Sequence, residues 1–261
     1  MRDARELPGL APSYFLDGAR APAMRPVLAL AARAARSAAN VLITGESGTG
    51  KRSLAEWIHA SSARRAGPLV RGRAGISEVL VVAARARTYH GGFADAAGGT
   101  LVLDELCELS HEAQAALVQL LDTPTLRAFG EAGTRVIATT QYTTDHAVRT
   151  GKLRADLYYA LGVISIAVPP LRSRAEDIPA LVAAFLARSM QGPVEITDAA
   201  LAWLAAADWP GNVRELEGTI ERAIALSDGG VIDVADVAGL APAATAQVTS
   251  PGHRGRRSYR R

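Results

Sequence analysis

Up to residue 168, short unbroken apolar runs take turns with stretches of helical spacing; beyond it, only the helical spacing persists. The first helix signal is PAMRPVLALAARAARSA (22–38), with Met24, Val27, Leu28 and Ala31 on one face. VLIT (41–44) is an apolar run stopped by Gly45, which predicts a buried strand. A helix over 50–63 follows, with Leu54, Trp57 and Ile58 on one face. PLV (68–70) opens a second strand, and 71–92 fits a strand or a helix equally well. TLVLDEL (100–106) reads as a strand ending in two acids. Ser110 is placed to cap a helix running to about Asp122, with Glu112 in its first turn where the helix dipole favours an anion. TLRAF (125–129), TRVIATT (134–140) and VISIAV (163–168) read as further strands. After Pro169 and Pro170 the pattern gives helices over 175–190, 198–207 and 212–227. Thr197 or Asp198 is placed to cap the second of these, and Asn212 the third.

Strands alternating with helices imply a mainly parallel sheet covered on both faces. The expected organisation is a lead-in over 1–20, an α/β domain over 21–168, a small all-helical domain over 169–239, and a disordered tail over 240–261. The length of 261 residues suits one domain with an appendage or two small ones.

Charge changes the picture at one end only. The tail RGRRSYRR holds Arg254, Arg256, Arg257, Arg260 and Arg261 and no acid, so without it the net charge drops from +3 to −2. Such a tail can meet phosphate backbones without reading sequence, and nucleic acid is expected to bind there if at all. Cys107 is the single cysteine, which excludes an internal disulfide and suits a reducing, cytoplasmic compartment. No apolar run reaches the length of a membrane span, and the first residues do not read as a signal peptide. Lys51 and Lys152 are the only lysines among 29 basic residues.

One of those two lysines closes the stretch Gly45, Glu46, Ser47, Gly48, Thr49, Gly50, Lys51, which lies between a predicted strand and a predicted helix. Glycines let backbone N–H groups converge on phosphate oxygens, the helix N-terminus adds positive potential, and Lys51 is placed for the outer phosphates. The general pattern continues with Ser or Thr; here Arg52 follows. Asp104 and Glu105, about fifty residues on, are the second element. An aspartate there is expected to hold Mg²⁺, and a neighbouring glutamate to poise an attacking water. Together they predict a P-loop ATPase binding ATP and Mg²⁺.

Five motifs occur in order: GESGTGK, GGTLVLDEL, LRADLYYAL (153–161), VPPLRSRAEDIP (168–179) and WPGNVRELE (209–217). Over residues 20–235 they resemble the central AAA+ domain of sigma-54-dependent transcriptional activators, the bacterial enhancer-binding proteins. The resemblance implies an ATPase whose sites lie between the protomers of a ring and whose helical lid closes over the nucleotide. It implies that Arg214 senses the nucleotide from the lid and that Arg154 reaches a neighbour's γ-phosphate. The expected partners are further copies of the chain, or a full-length relative in a mixed ring, and the transcription machinery.

The departures from that family are as informative. Arg52 stands where the family has an acid, and Ala160 where it has a second trans-acting arginine. Arg73 aligns with an asparagine that couples the glutamate to the nucleotide, and Gln141 with a further sensor asparagine. The sigma-54 contact motif GAFTGA does not occur in 71–100. No receiver or ligand-sensing domain is expected before residue 20, and no helix-turn-helix after 239. The expectation is a transcriptional regulator working through a protein partner without touching sigma-54, its ATPase reduced. The alternative is a nucleotide-dependent interaction module with little turnover.

Overall fold

The computed structural model describes residues 18–72, 95–122, 133–188, 194–227 and 230–240. The chain enters through a single 3₁₀ turn at Pro22–Met24 into helix α1 (Arg25–Ala35), whose buried Val27, Ala31, Ala34 and Ala35 keep the predicted spacing. Strand β1 (Val41–Thr44) leads through the glycine loop into α2 (Lys51–Ala60). Strands β2 (Leu69–Gly72) and β3 (Thr100–Leu103) follow, then α3 (His111–Leu121), β4 (Arg135–Thr140), α4 (Thr144–Arg149), α5 (Ala155–Leu161) and β5 (Ile164–Ala167). The Ser110 hydroxyl accepts from the Ala113 N–H, as its position before α3 predicts.

The five strands form one parallel sheet in the order β2-β3-β4-β1-β5. β1 is flanked by β4 and β5, while the chain leaving it runs to β2 at the far edge. The loop after β1 therefore lies where connections diverge, the usual place for a ligand crevice in an open α/β sheet. Side chains alternate across the sheet. Val41, Ile43, Val102, Ile137 and Ile166 pack with α1 and α2, whereas Leu42, Leu101, Leu103, Val136 and Ala138 pack with α3, α4 and α5.

Beyond β5 lie α6 (Ile178–Leu186), α7 (Asp198–Ala206), α8 (Asn212–Leu226) and α9 (Val234–Ala238). Their buried Ile178, Leu181, Val213 and Leu216, with Trp209 just before α8, belong to the same core cluster as Ile43 and Val168. The lid is thus continuous with one face of the sheet.

Several expectations need correction. The strand at 100–106 stops at Leu103; Asp104 is past its end and Leu106–Glu108 form a 3₁₀ turn. Strands do not cease at the prolines: β6 (Glu195–Ile196) and β7 (Val231–Ile232) pair in parallel within the lid. Each is two residues long, too short to show a period. Of the two candidate caps before α7, Thr197 accepts from the Ala200 N–H. Asn212 is not a cap: Gly211 precedes the helix, and Asn212 is fully buried at φ +55° with its side chain used elsewhere. The expected strand at 125–129, Arg73, most of 71–92, most of the lead-in and the arginine tail lie outside the described residues.

Candidate nucleotide site

The glycine loop is built as a turn that only its residue types allow. Gly48 sits at φ +79° and Gly50, which opens α2, at φ +96°. A Cβ on Gly48 would lie 2.1 Å from the Gly211 carbonyl, so the lid approaches the loop as closely as backbone can. Lys51 is buried and donates from Nζ to the carbonyls of Gly45 (2.8 Å) and Glu46 (3.1 Å). Its ammonium also lies 3.5 Å from Glu105 Oε1. Burial pulls its pKa down and Glu105 opposes that pull. The Thr49 hydroxyl donates to the Glu46 carbonyl at 2.8 Å, closing the turn from within.

The lid grips this loop from above. Arg214 donates its backbone N–H to the Gly48 carbonyl and its Nη1 to Ser47 Oγ at 3.2 Å. Asn212 Nδ2 donates to the Ser47 carbonyl (2.9 Å) and Glu46 Oε2 (3.2 Å), while Asn212 Oδ1 accepts from the Leu171 N–H at 2.8 Å. Arg172 forms a two-pronged pair with Glu46 at 2.8 and 2.5 Å. Arg174, fully buried, donates to the Thr49 carbonyl at 2.6 Å. Arg172 and Arg174 appear in the sequence only as letters of a family motif and Asn212 as an expected helix cap, and nothing in their spacing tells of the loop they hold.

Hydrogen bonding to Arg172 holds the Glu46 carboxyl down to about 2, against an ordinary value of 4.5. A depressed carboxyl adds stability above its unfolded pKa and loses it as pH falls through the folded one. The Glu46–Arg172 pair should therefore support the fold at neutral pH and cease to do so between about pH 4.5 and 2. The effect is small, because both partners are more than a third exposed. Thermal unfolding of Arg172→Ala should sit slightly below wild type at pH 7 and merge with it near pH 2. A constant gap across that range would rule the pair out as the source.

The two acids after β3 face different partners. Glu105 adopts a left-handed backbone at φ +53°, a conformation that a non-glycine residue keeps only when its surroundings enforce it. Thr139 Oγ1 enforces it by accepting from the Glu105 N–H at 3.2 Å. The Gln141 N–H donates to Glu105 Oε2 at 3.1 Å, so Gln141 acts on the glutamate through its backbone. Asp104 is engaged by protein groups on both oxygens. Arg52 donates Nε (2.9 Å) and Nη2 (2.5 Å) to Oδ2, and Thr139 Oγ1 lies 3.2 Å from Oδ1.

A divalent cation expected on Asp104 does not fit these residues. Mg²⁺ needs an open carboxylate oxygen at about 2.1 Å, and the guanidinium of Arg52 already covers one with positive charge. No group of three or more acid, histidine or cysteine side chains suited to a metal occurs among the described residues. The loop, Lys51 and Arg214 do come together: Arg214 bonds Ser47 of the loop, and its charge acts on the Lys51 ammonium. Arg154 has other partners: it precedes α5 and pairs twice with Asp156, at 3.0 and 2.8 Å.

Residues 18–167 match the family described as Sigma-54 interaction domain. The chain belongs to that family. Residues 172–251 match the family described as AAA+ ATPase lid domain. The phenol regulator MopR of Acinetobacter guillouiae is 40% identical over 230 residues, 79% of this chain and 40% of MopR. The transcriptional regulatory protein ZraR of Escherichia coli (strain K12) is 38% identical over 245 residues, 86% of this chain and 56% of ZraR. A crystal structure of NtrX from Brucella abortus in complex with ATP superposes with a TM-score of 0.70 at 30% identity, over 83% of this chain and 55% of NtrX. This sigma-54 interaction domain thus spans about half the length of the curated relatives it matches. Its α/β body and helical lid are an AAA+ fold. Among the described residues, no helix of the domain is long and apolar enough to cross a membrane.

Proposed function

We propose that this chain is an ATP-binding AAA+ regulator of transcription that acts through a protein partner, without direct contact to sigma-54. The observation that carries the reading is the lid's grip on the phosphate loop: Gly211, Asn212 and Arg214 all meet residues 46–48. A nucleotide entering that crevice changes the lid's contacts, and the lid is continuous with the core of the domain. ATP binding in the NtrX relative supports the choice of nucleotide. The absence of GAFTGA from 71–100 supports a target other than sigma-54. In this reading Lys51 binds the outer phosphates, Glu105 poises water, Arg214 reads the chain's own nucleotide, and Arg154 serves a neighbouring copy. That copy is a second molecule of this chain or a longer relative in a mixed ring.

Turnover is expected to be low. Ala160 offers no cation to a neighbour's phosphate, and such a charge is worth orders of magnitude in phosphoryl transfer. A module whose bound nucleotide mainly controls partner binding is therefore the second reading, favoured by the occupied Asp104. ATP hydrolysis measured against protein concentration separates the two. Specific activity rising with concentration indicates sites shared between copies; bound ATP with no turnover at any concentration indicates the module. Glu105→Ala should bind ATP like wild type yet turn none over. Equal hydrolysis by that variant would assign the water to another base.

A further inference from the structure

Among the residues predicted for catalysis, the one whose partner departs furthest from expectation is Asp104. Its carboxylate was expected to face a metal, and it faces Arg52. Both donors of that guanidinium fall on the same oxygen, Oδ2, and the Thr139 hydroxyl lies beside the other, Oδ1. Position 52 is where the general phosphate-loop pattern places a hydroxyl for the cation. So Arg52, which stands where the resemblance places an acid, offers no oxygen ligand and supplies a fixed positive charge instead. The Arg52 side chain is 40% exposed, so part of it stays open to solvent.

We propose that Arg52 replaces the divalent cation in this site, which therefore takes the polyphosphate of ATP or ADP in metal-free form. The proposal rests on the reading of the crevice as a nucleotide site. Its physical basis is charge. In a metal-dependent site, a bare aspartate repels the phosphates until a cation screens it. Here Asp104 is already neutralised by Arg52, and Glu105 is faced by Lys51 at 3.5 Å. Arg214 adds a guanidinium that has no carboxylate partner among the described residues. Three cations thus border the crevice, and a guanidinium suits phosphate oxygens as well as an ammonium does. A hydrated Mg²⁺ would have to displace the Arg52 fork and then sit beside its charge. Metal-bound nucleotide is consequently the poorer ligand.

The test is ATP and ADP affinity by calorimetry, in EDTA and in excess Mg²⁺, on the whole chain. Wild type should bind in EDTA at least as tightly as in Mg²⁺. Arg52→Thr restores the hydroxyl of the general pattern and bares Asp104. It should bind roughly tenfold or more weakly in EDTA than in Mg²⁺. Arg52→Lys keeps the charge and should stay indifferent to metal, which guards against a loss caused by misfolding alone. Wild-type affinity that is weaker in EDTA than in Mg²⁺ overturns the proposal and leaves the nucleotide site standing. Binding in neither condition removes the nucleotide site, and the proposal with it.

Discussion

Lys51→Ala is expected to lower ATP affinity by roughly 100-fold or more, because truncating one partner of a buried charge pair costs about 2–5 kcal/mol and each 1.4 kcal/mol is about tenfold. Lys51 is 6% exposed and carries the ammonium deepest in the loop. Arg214 cannot substitute for it, because it approaches from the lid side through Ser47. The same change should cost the fold little. Burial already disfavours the charged lysine, and the groups it leaves behind keep partners or access to water. The Glu46 carbonyl still accepts from the Thr49 hydroxyl, the Gly45 carbonyl belongs to a half-buried residue, and Glu105 keeps the Gln141 N–H and is itself part exposed. Calorimetric titration with ATP beside a thermal melt tests both halves. Wild-type affinity in a folded Lys51→Ala protein would sink the site assignment; a collapsed melting temperature would instead make Lys51 a structural residue.

How much of this was legible in the sequence depends on how local the signal is. Strand β1, the glycine loop and α2 are contiguous, and each residue's type is set by its own backbone or its nearest neighbours. That segment could be read almost residue by residue. Ser110 could be read for the same reason, since a cap satisfies an N–H three positions away. Asp104 and Glu105 could be placed but not oriented. Their directions are set by Thr139 and the Gln141 N–H on β4 and just after it, and by Arg52 on α2, all distant in sequence. That Arg52 reverses a charge was visible; that it would sit on Asp104, fifty-two positions away, was not. Asn212 shows the opposite failure. A local rule made it a cap, and a tertiary demand took its side chain instead.

That demand predicts the largest stability effect in the lid. Asn212→Ala should destabilise the chain by about 3 kcal/mol, since each buried group left without a partner costs about 1–3 kcal/mol. The Leu171 N–H loses its acceptor in a buried setting, and the Ser47 carbonyl loses a donor. Alanine also tolerates φ +55° less well than asparagine does. For a chain of this size the melting temperature should fall by roughly 5–10 °C. ATP affinity should fall as well, because Arg214 stands two residues further along α8 and is aimed by the same contacts. Asn212→Asp separates the two roles of the side chain. It keeps an acceptor for Leu171 and accepts the left-handed backbone. It also sets a carboxylate against Glu46 Oε2 and the Ser47 carbonyl, where Asn212 now donates at 3.2 and 2.9 Å. Like charge raises the pKa of the new carboxyl in the folded chain. Its penalty should then be greatest at neutral pH and shrink as pH falls through that raised pKa. An Asn212→Ala protein that melts and binds ATP like wild type would show that the lid holds the loop through Arg172, Arg174 and Arg214 without Asn212.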